Sequence, residues 1–257
     1  MQQWPFVVLS FGLLWLSYCL AIDFCEIKAC QGMPHVGCNN SMKFDQGCLR
    51  DRRLVKMEMY RSYFLAMHNT YRQRVASGEI GGLPKAQHMP ELVWDIYLAL
   101  VAEYHLKRCL RELNDVCVAT DDFPEPAVNY GDDLQARALH LISNMRQVTF
   151  LTESWLHEVY QLQSIRTETA PRAIRHIIND RAAHMGCAAG QNYDNWNVRF
   201  VLICYYDVDA PRKQNLYTSG DFLESQCTAG RSQRYANLCR TLPKYVQNMS
   251  VGEYWPE

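Results

Sequence analysis

"VRFVLICYYDV" spans residues 198–208. It is rich in Val, Ile, Phe and Tyr and is bounded by Asn197 and Pro211, which predicts a strand. "AAHMGCAA", residues 182–189, is the next strand candidate. Both lie late in the chain, whereas the first half reads mainly as helices. Helices followed by strands predict an α+β layer architecture rather than repeated βαβ units. There is no internal repeat and no low-complexity tract.

Upstream, Met57, Tyr60, Phe64, Met67, Tyr71 and Val75 recur at spacings of three and four, the stripe of an amphipathic helix over 54–76. Gly78 suits the position just past its end. "GEIGGLPKAQHMP" (78–90) reads as a loop. A second helix is predicted over 91–112, with Leu92, Ile96, Leu100 and Tyr104 inward and Pro90 just ahead of it. Residues 113–131, with Asp121, Asp122, Pro124, Pro126 and Gly131, read as a loop holding at most one short strand. Two more helices are predicted over about 133–146 and 151–163, from "DLQARALHLISNM" and "LTESWLHEVYQL".

The chain begins "MQQWPFVVLSFGLLWLSYCLAIDFC", and residues 5–22 carry no charge. Its position and its small residues near the end read as a signal peptide cleaved after Ala21. No second long apolar run follows, so no membrane span is expected after its removal. Of eleven cysteines, Cys19 falls in that segment and ten remain. An even number in a secreted chain reads as disulfides, with the pairing left open by spacing alone. No C-x-x-C pair supports a metal site instead. Asn39 and Asn248 head sequons for glycosylation. Net charge is −1 with Lys and Arg scattered, which argues against nucleic acid. Hydrophobic residues at 48% suffice for a core.

Several pieces, in order, are similar to motifs of the CAP superfamily of cysteine-rich secretory, antigen 5 and pathogenesis-related 1 proteins. "HNTYR" (68–72) resembles its HN-x-x-R helix, and "AQHMPELVWDIYLALVAEYHLKRC" (86–109) its M-x-x-L-x-W segment. "ESWLHEV" (153–159) resembles W-x-x-E-V, "IINDRAAHMGCAA" (177–189) the V-G-C-A segment, and "VLICYY" (201–206) L-V-C-N-Y. The N-terminal cysteines and "CTAGRSQRYANLC" (227–239) resemble the insect antigen 5-like branch. The resemblance implies a disulfide-stabilised three-layer α-β-α sandwich. It divides the chain into a cysteine-rich extension (22–53), a CAP domain (54–210) and a tail (211–257). It also implies the pairs Cys25–Cys38, Cys30–Cys117, Cys48–Cys109 and Cys187–Cys204, leaving Cys227 and Cys239 to pair in the tail.

Many CAP proteins hold two histidines and two acids in a cleft, a set able to bind zinc. By resemblance one acid is Glu158, after Trp155, and the other is Asp132 in "YGDDL". The first histidine has no counterpart in "CVATDDFPEPAVNYG" (117–131), and the second falls on Ala173 in "APRAIRH". His176 is expected three residues beyond that place, on another face of a strand or loop. His184 is expected at the start of the next strand. These remnants imply a degenerate cleft with no metal, no cofactor and no catalytic residue.

"HEVYQ" (157–161) ends in Gln161 where a zinc motif needs histidine, and neither a G-x-S-x-G elbow nor a phosphate loop occurs. His68 and Arg72 share a helix face and are expected to form a structural hydrogen-bond network under the cleft. The function expected is secreted, extracellular recognition of a protein partner without enzymatic activity. The alternative is a carrier of lipid or sterol. A metal-dependent hydrolase would need the two missing histidines.

Overall fold

The computed structural model describes residues 23–48, 51–136, 143–193 and 196–244. The signal peptide expected over 1–21 and the sequon at Asn248 lie outside the described residues. In chain order the main elements are β1 (Asp51–Val55), α1 (Arg61–Ala76), β2 (Val93–Trp94), α2 (Ile96–Arg108) and β3 (Ala127–Ala136). They are followed by α3 (Asn144–Leu156), α4 (Arg172–Ile177), β4 (His184–Tyr193) and β5 (Asn197–Tyr206).

The apolar run over 198–208 forms β5, in the interior of the sheet order β1-β4-β5-β3. These four strands pair antiparallel, while β2 lies parallel to the start of β4. A strand reads as continuously apolar when both faces are covered, and β5 meets that condition. Phe200, Leu202, Cys204 and Tyr206 join one core with α1, α3 and α4. Val201, Ile203 and Tyr205 join a second core with α2 and the N-terminal extension. The result is the three-layer α-β-α sandwich.

Two local features set the layers close together. Asp95 caps α2, its Oδ1 accepting the N–H groups of Tyr97 and Leu98 at 2.9 Å each. Gly186 on β4 backs directly onto α2. A Cβ there would fall 2.1 Å from the Ala99 nitrogen, so no other residue fits without moving the helix.

Five disulfides join Cys25–Cys38, Cys30–Cys117, Cys48–Cys109, Cys187–Cys204 and Cys227–Cys239. The first three stitch the extension to itself and to the segments after α2, the fourth crosses β4–β5, and the fifth closes the tail. Cross-links over separations of 12–17 residues stabilise by about 3 kcal/mol each, and those over 61 and 87 residues by more than about 4.

The structure corrects several element boundaries. The helix expected over 54–76 begins at Arg61, because Asp51–Val55 pairs with β4 as an edge strand. It ends at Ala76, and Gly78 just past its end has the φ of +78° of the left-handed turn expected there. The helix expected over 91–112 is α2 alone, since Val93–Trp94 are drawn into the sheet. Ile96, expected inward, is half exposed, and Leu98, Val101 and Ala102 fill the core in its place. Residues 127–136 are not a loop running into a helix but the ten-residue edge strand β3. The helix expected over 151–163 is α3, which starts at Asn144, followed by a 3-10 turn over His157–Gln161.

Candidate functional site

The inner face of α1 is polar at its centre. His68, Asn69 and Arg72 are all buried, between Phe64 and Val75. Asn69 pairs with the backbone of Leu92, donating to its carbonyl at 2.9 Å and accepting its N–H at 2.7 Å. Arg72 makes five hydrogen bonds, all to backbone carbonyls: two to Pro90 and one each to Ile177, Asn179 and Ala182. A guanidinium has five N–H donors, so Arg72 has none left over. Burial lowers it to about 10, still protonated at neutral pH. The HN-x-x-R stretch is therefore a staple that pins α1 to the segments ahead of β2 and β4.

His68 starts a buried chain of hydrogen bonds. Its Nδ1 faces the Phe64 carbonyl at 2.9 Å, and since a carbonyl only accepts, Nδ1 carries the proton. Its Nε2 then accepts from the Tyr206 hydroxyl at 3.0 Å. Asn129 Nδ2 donates to that hydroxyl at 3.2 Å and to the Ala173 carbonyl at 3.1 Å. Asn129 Oδ1 accepts from His176 Nδ1 at 2.8 Å, and His176 Nε2 lies 3.1 Å from Asp209 Oδ1. Burial pulls His68 down to about 4 and pushes the Tyr206 hydroxyl up. Burial also pulls His176 below the usual imidazole range, against the opposing Asp209 contact. The same contact holds the Asp209 carboxyl low.

Above this chain lies a cleft of about 190 Å³. Its wall includes Asn129, Tyr130, Trp155, Glu158, Arg172 and Ala173, with Arg111 and Glu112 from the segment after α2. Glu158 and Ala173 thus share one cleft. Glu158 acts as a cap: its Oε2 accepts the Ile174 N–H at 2.9 Å, in the first turn of the six-residue α4. Burial raises its carboxyl, and the N–H groups of Ile174 and Ala173 oppose the rise. Asp132 is not on this wall; it is exposed on β3 and pairs with Arg199 across the sheet at 3.2 Å.

The two conspicuous histidines also have structural partners. His176 lies on α4, not on the strand or loop expected, and is buried beneath the cleft. His184 opens β4 as expected, and its Nδ1 contacts Asp207 at 2.9 Å. Asp207 also accepts the N–H groups of Ala183 and His184, which ties the histidine to the turn before its strand.

Zinc takes three or four thiolate, imidazole or carboxylate donors. The wall offers Glu158, already committed to α4, and Glu112, beside two guanidinium groups that repel a cation. The donor set does not fit zinc. Sequence reading brought Glu158 and Ala173 to one site but missed Asn129, Arg111 and Arg172. Asn129 left one signal, a lone amide alternating with apolar residues in "AVNYG". The arginines left none, since they come from two distant elements, Arg111 from the segment after α2 and Arg172 from the start of α4.

The chain is 28% identical over 226 residues to Venom allergen-1 of Aedes aegypti, covering 84% of this chain and 87% of that one. It is 30% identical over 209 residues to the Antigen 5 like allergen Cul n 1 of Culicoides nubeculosus, covering 73% and 93%. It is 26% identical over 243 residues to Tabinhibitin 3 of Tabanus yao, covering 91% and 93%. Among solved structures, the fold matches BmVAL-1 with a TM-score of 0.58 and 16% identity, over 77% of this chain and 98% of that one. It matches the zinc-bound structure of NaASP2 with a TM-score of 0.53 and 16% identity, over 76% and 99%. Residues 65–206 match the cysteine-rich secretory protein family, and they contain the staple, the buried chain from His68 to His176 and the whole cleft wall. The chain belongs to the CAP, or cysteine-rich secretory protein, family.

Proposed function

We propose that this chain is a secreted, non-enzymatic CAP protein that works by binding another protein outside the cell. The make-up of the cleft wall carries the reading: Ala173 stands where the resemblance puts an imidazole, arginines flank it, and Glu158 is engaged in capping α4. Glu112 stands with two arginines on a wall that holds no imidazole, thiol or hydroxyl nucleophile beside a base, and binding is the chemistry this make-up supports best. The names of the relatives, allergens and an inhibitor, agree with a protein that acts on partners outside its own cell. Asn39 is exposed and suits glycosylation.

A second reading, carriage of a small apolar molecule, is favoured by a separate groove of about 550 Å³. Val55, Met57, Trp94, Ile96 and Leu100 line it, within the size range of ligand pockets.

Native mass spectrometry of the mature chain, secreted from an oxidising host and purified without chelator, tests both. A bare mass ten hydrogens below that of the reduced chain, two per disulfide, supports the protein-recognition reading. A retained lipid favours carriage, and a retained zinc overturns the assignment of the cleft.

A further inference from the structure

Several arginines elsewhere in this protein meet carboxylates. Arg199 meets Asp132 at 3.2 Å, Arg231 meets Glu224 at 3.1 Å, Arg166 meets Glu168 at 3.0 Å and Arg108 meets Asp45 at 3.4 Å. Arg111 and Arg172 line one cleft, and among the described residues neither has a carboxylate or hydrogen-bond partner for its guanidinium. Arg111 is instead held over the Tyr130 ring, 5.8 Å from its centroid. That contact orients the group and leaves its N–H fork unspent. The Arg172 charge is felt by the buried His176 behind the wall.

The rest of the wall selects among anions. Trp155, Tyr130, Val128 and Ala173 give it an apolar lining suited to a short hydrocarbon stem. About 190 Å³ is room for one large side chain and not for a polymer. Glu112 and Glu158 bring two negative charges to the two positive ones, a balance that disfavours a dianion such as phosphate or sulfate. The flat guanidinium fork matches a carboxylate in two parallel hydrogen bonds.

We propose that the cleft receives one carboxylate-bearing side chain of an acidic segment on the partner protein. Arg111 and Arg172 hold the carboxylate, and the stem lies against Trp155 and Tyr130. The proposal rests on the reading of this chain as a protein-recognition module.

The test is calorimetric titration of the full mature protein with an N-acetylated hexaglutamate peptide, with hexaglutamine and sodium sulfate as separate arms. Arg111→Gln and Arg172→Gln are expected to weaken hexaglutamate binding about tenfold each, with thermal midpoints unchanged because both side chains are exposed. Arg240→Gln, an exposed arginine of the tail, is expected to leave binding as it was. Equal binding of hexaglutamate and hexaglutamine overturns the proposal, as does a double Arg111→Gln/Arg172→Gln variant that binds like the parent. Sulfate binding as tightly as the peptide overturns the choice of a peptide carboxylate. If hexaglutamate fails while the native mass is bare, this proposal falls and the broader reading stands. A retained zinc mass removes the broader reading whatever the peptide does.

Discussion

Arg72 on the inner face of α1 and Arg111 and Arg172 on the cleft wall carry the same guanidinium in opposite settings. Arg72 is fully buried and gives all five N–H groups to backbone carbonyls of two separate segments. The cleft arginines are exposed and give theirs to no acceptor among the described residues. A buried charge persists only when its donors are satisfied, so Arg72 must serve the fold. An exposed charge is satisfied by water and is available to a partner. Residues of a family motif can thus be wholly structural while the binding groups lie outside it.

Four changes break or sharpen this contrast. The largest effect should follow Arg72→Met, which strands buried carbonyls of Pro90, Ile177, Asn179 and Ala182. A loss of about 4 kcal/mol or more is expected, read as a lower urea midpoint or a collapse of secreted yield. If Arg72→Met is secreted and unfolds like the parent, the staple is misread.

Acid comes next. The His68 imidazole takes its proton near pH 6.5 when unfolded but only at about 4 in the fold, and His105 behaves alike. Between those values the unfolded state holds the extra protons, so stability present above pH 6.5 is lost as pH falls toward 4. Each histidine accounts for about 3 kcal/mol over that window. Urea titrations at pH 7 and pH 4.5 measure the slope, and His68→Gln should remove one share of it.

Asn129→Ala cuts the buried chain at its middle, orphaning His176 Nδ1 and the Ala173 carbonyl. About 2 kcal/mol is expected, and an unchanged thermal midpoint would mean that the chain contributes nothing. Glu158→Ala should be milder, near 1 kcal/mol, since it removes one cap from a short helix. Exchange of the Ile174 amide with deuterium, faster in the variant, is the local readout.

The layers were readable in the sequence where burial is two-sided. β5 is apolar and buried from Phe200 to Tyr206 because α1, α3 and α4 cover one face and α2 the other. The edge strands were not readable, for the converse reason. β1 is "DRRLV" and β3 runs through Gly131, Asp132 and Asp133, so each lacks the composition of a buried strand. They take extended form because β4 and β5 offer ladders to pair with. For α1 both the helix and a structural hydrogen-bond network at His68 and Arg72 were readable, but not the partners, which are Tyr206 on β5 and the loop carbonyls.

Residue identity by itself determined that Ala173 supplies no ligand and that Glu158 follows Trp155 by three. It also determined ten cysteines for five bridges. Only the tertiary structure decided that Glu158 caps α4, that Asp132 turns to Arg199 on the sheet, and that Arg111 and Arg172 line one cleft. Side-chain chemistry is local and travels with the sequence. Which donors meet which acceptors depends on segments from 16 to more than sixty residues apart being brought together, and that follows from packing the whole chain.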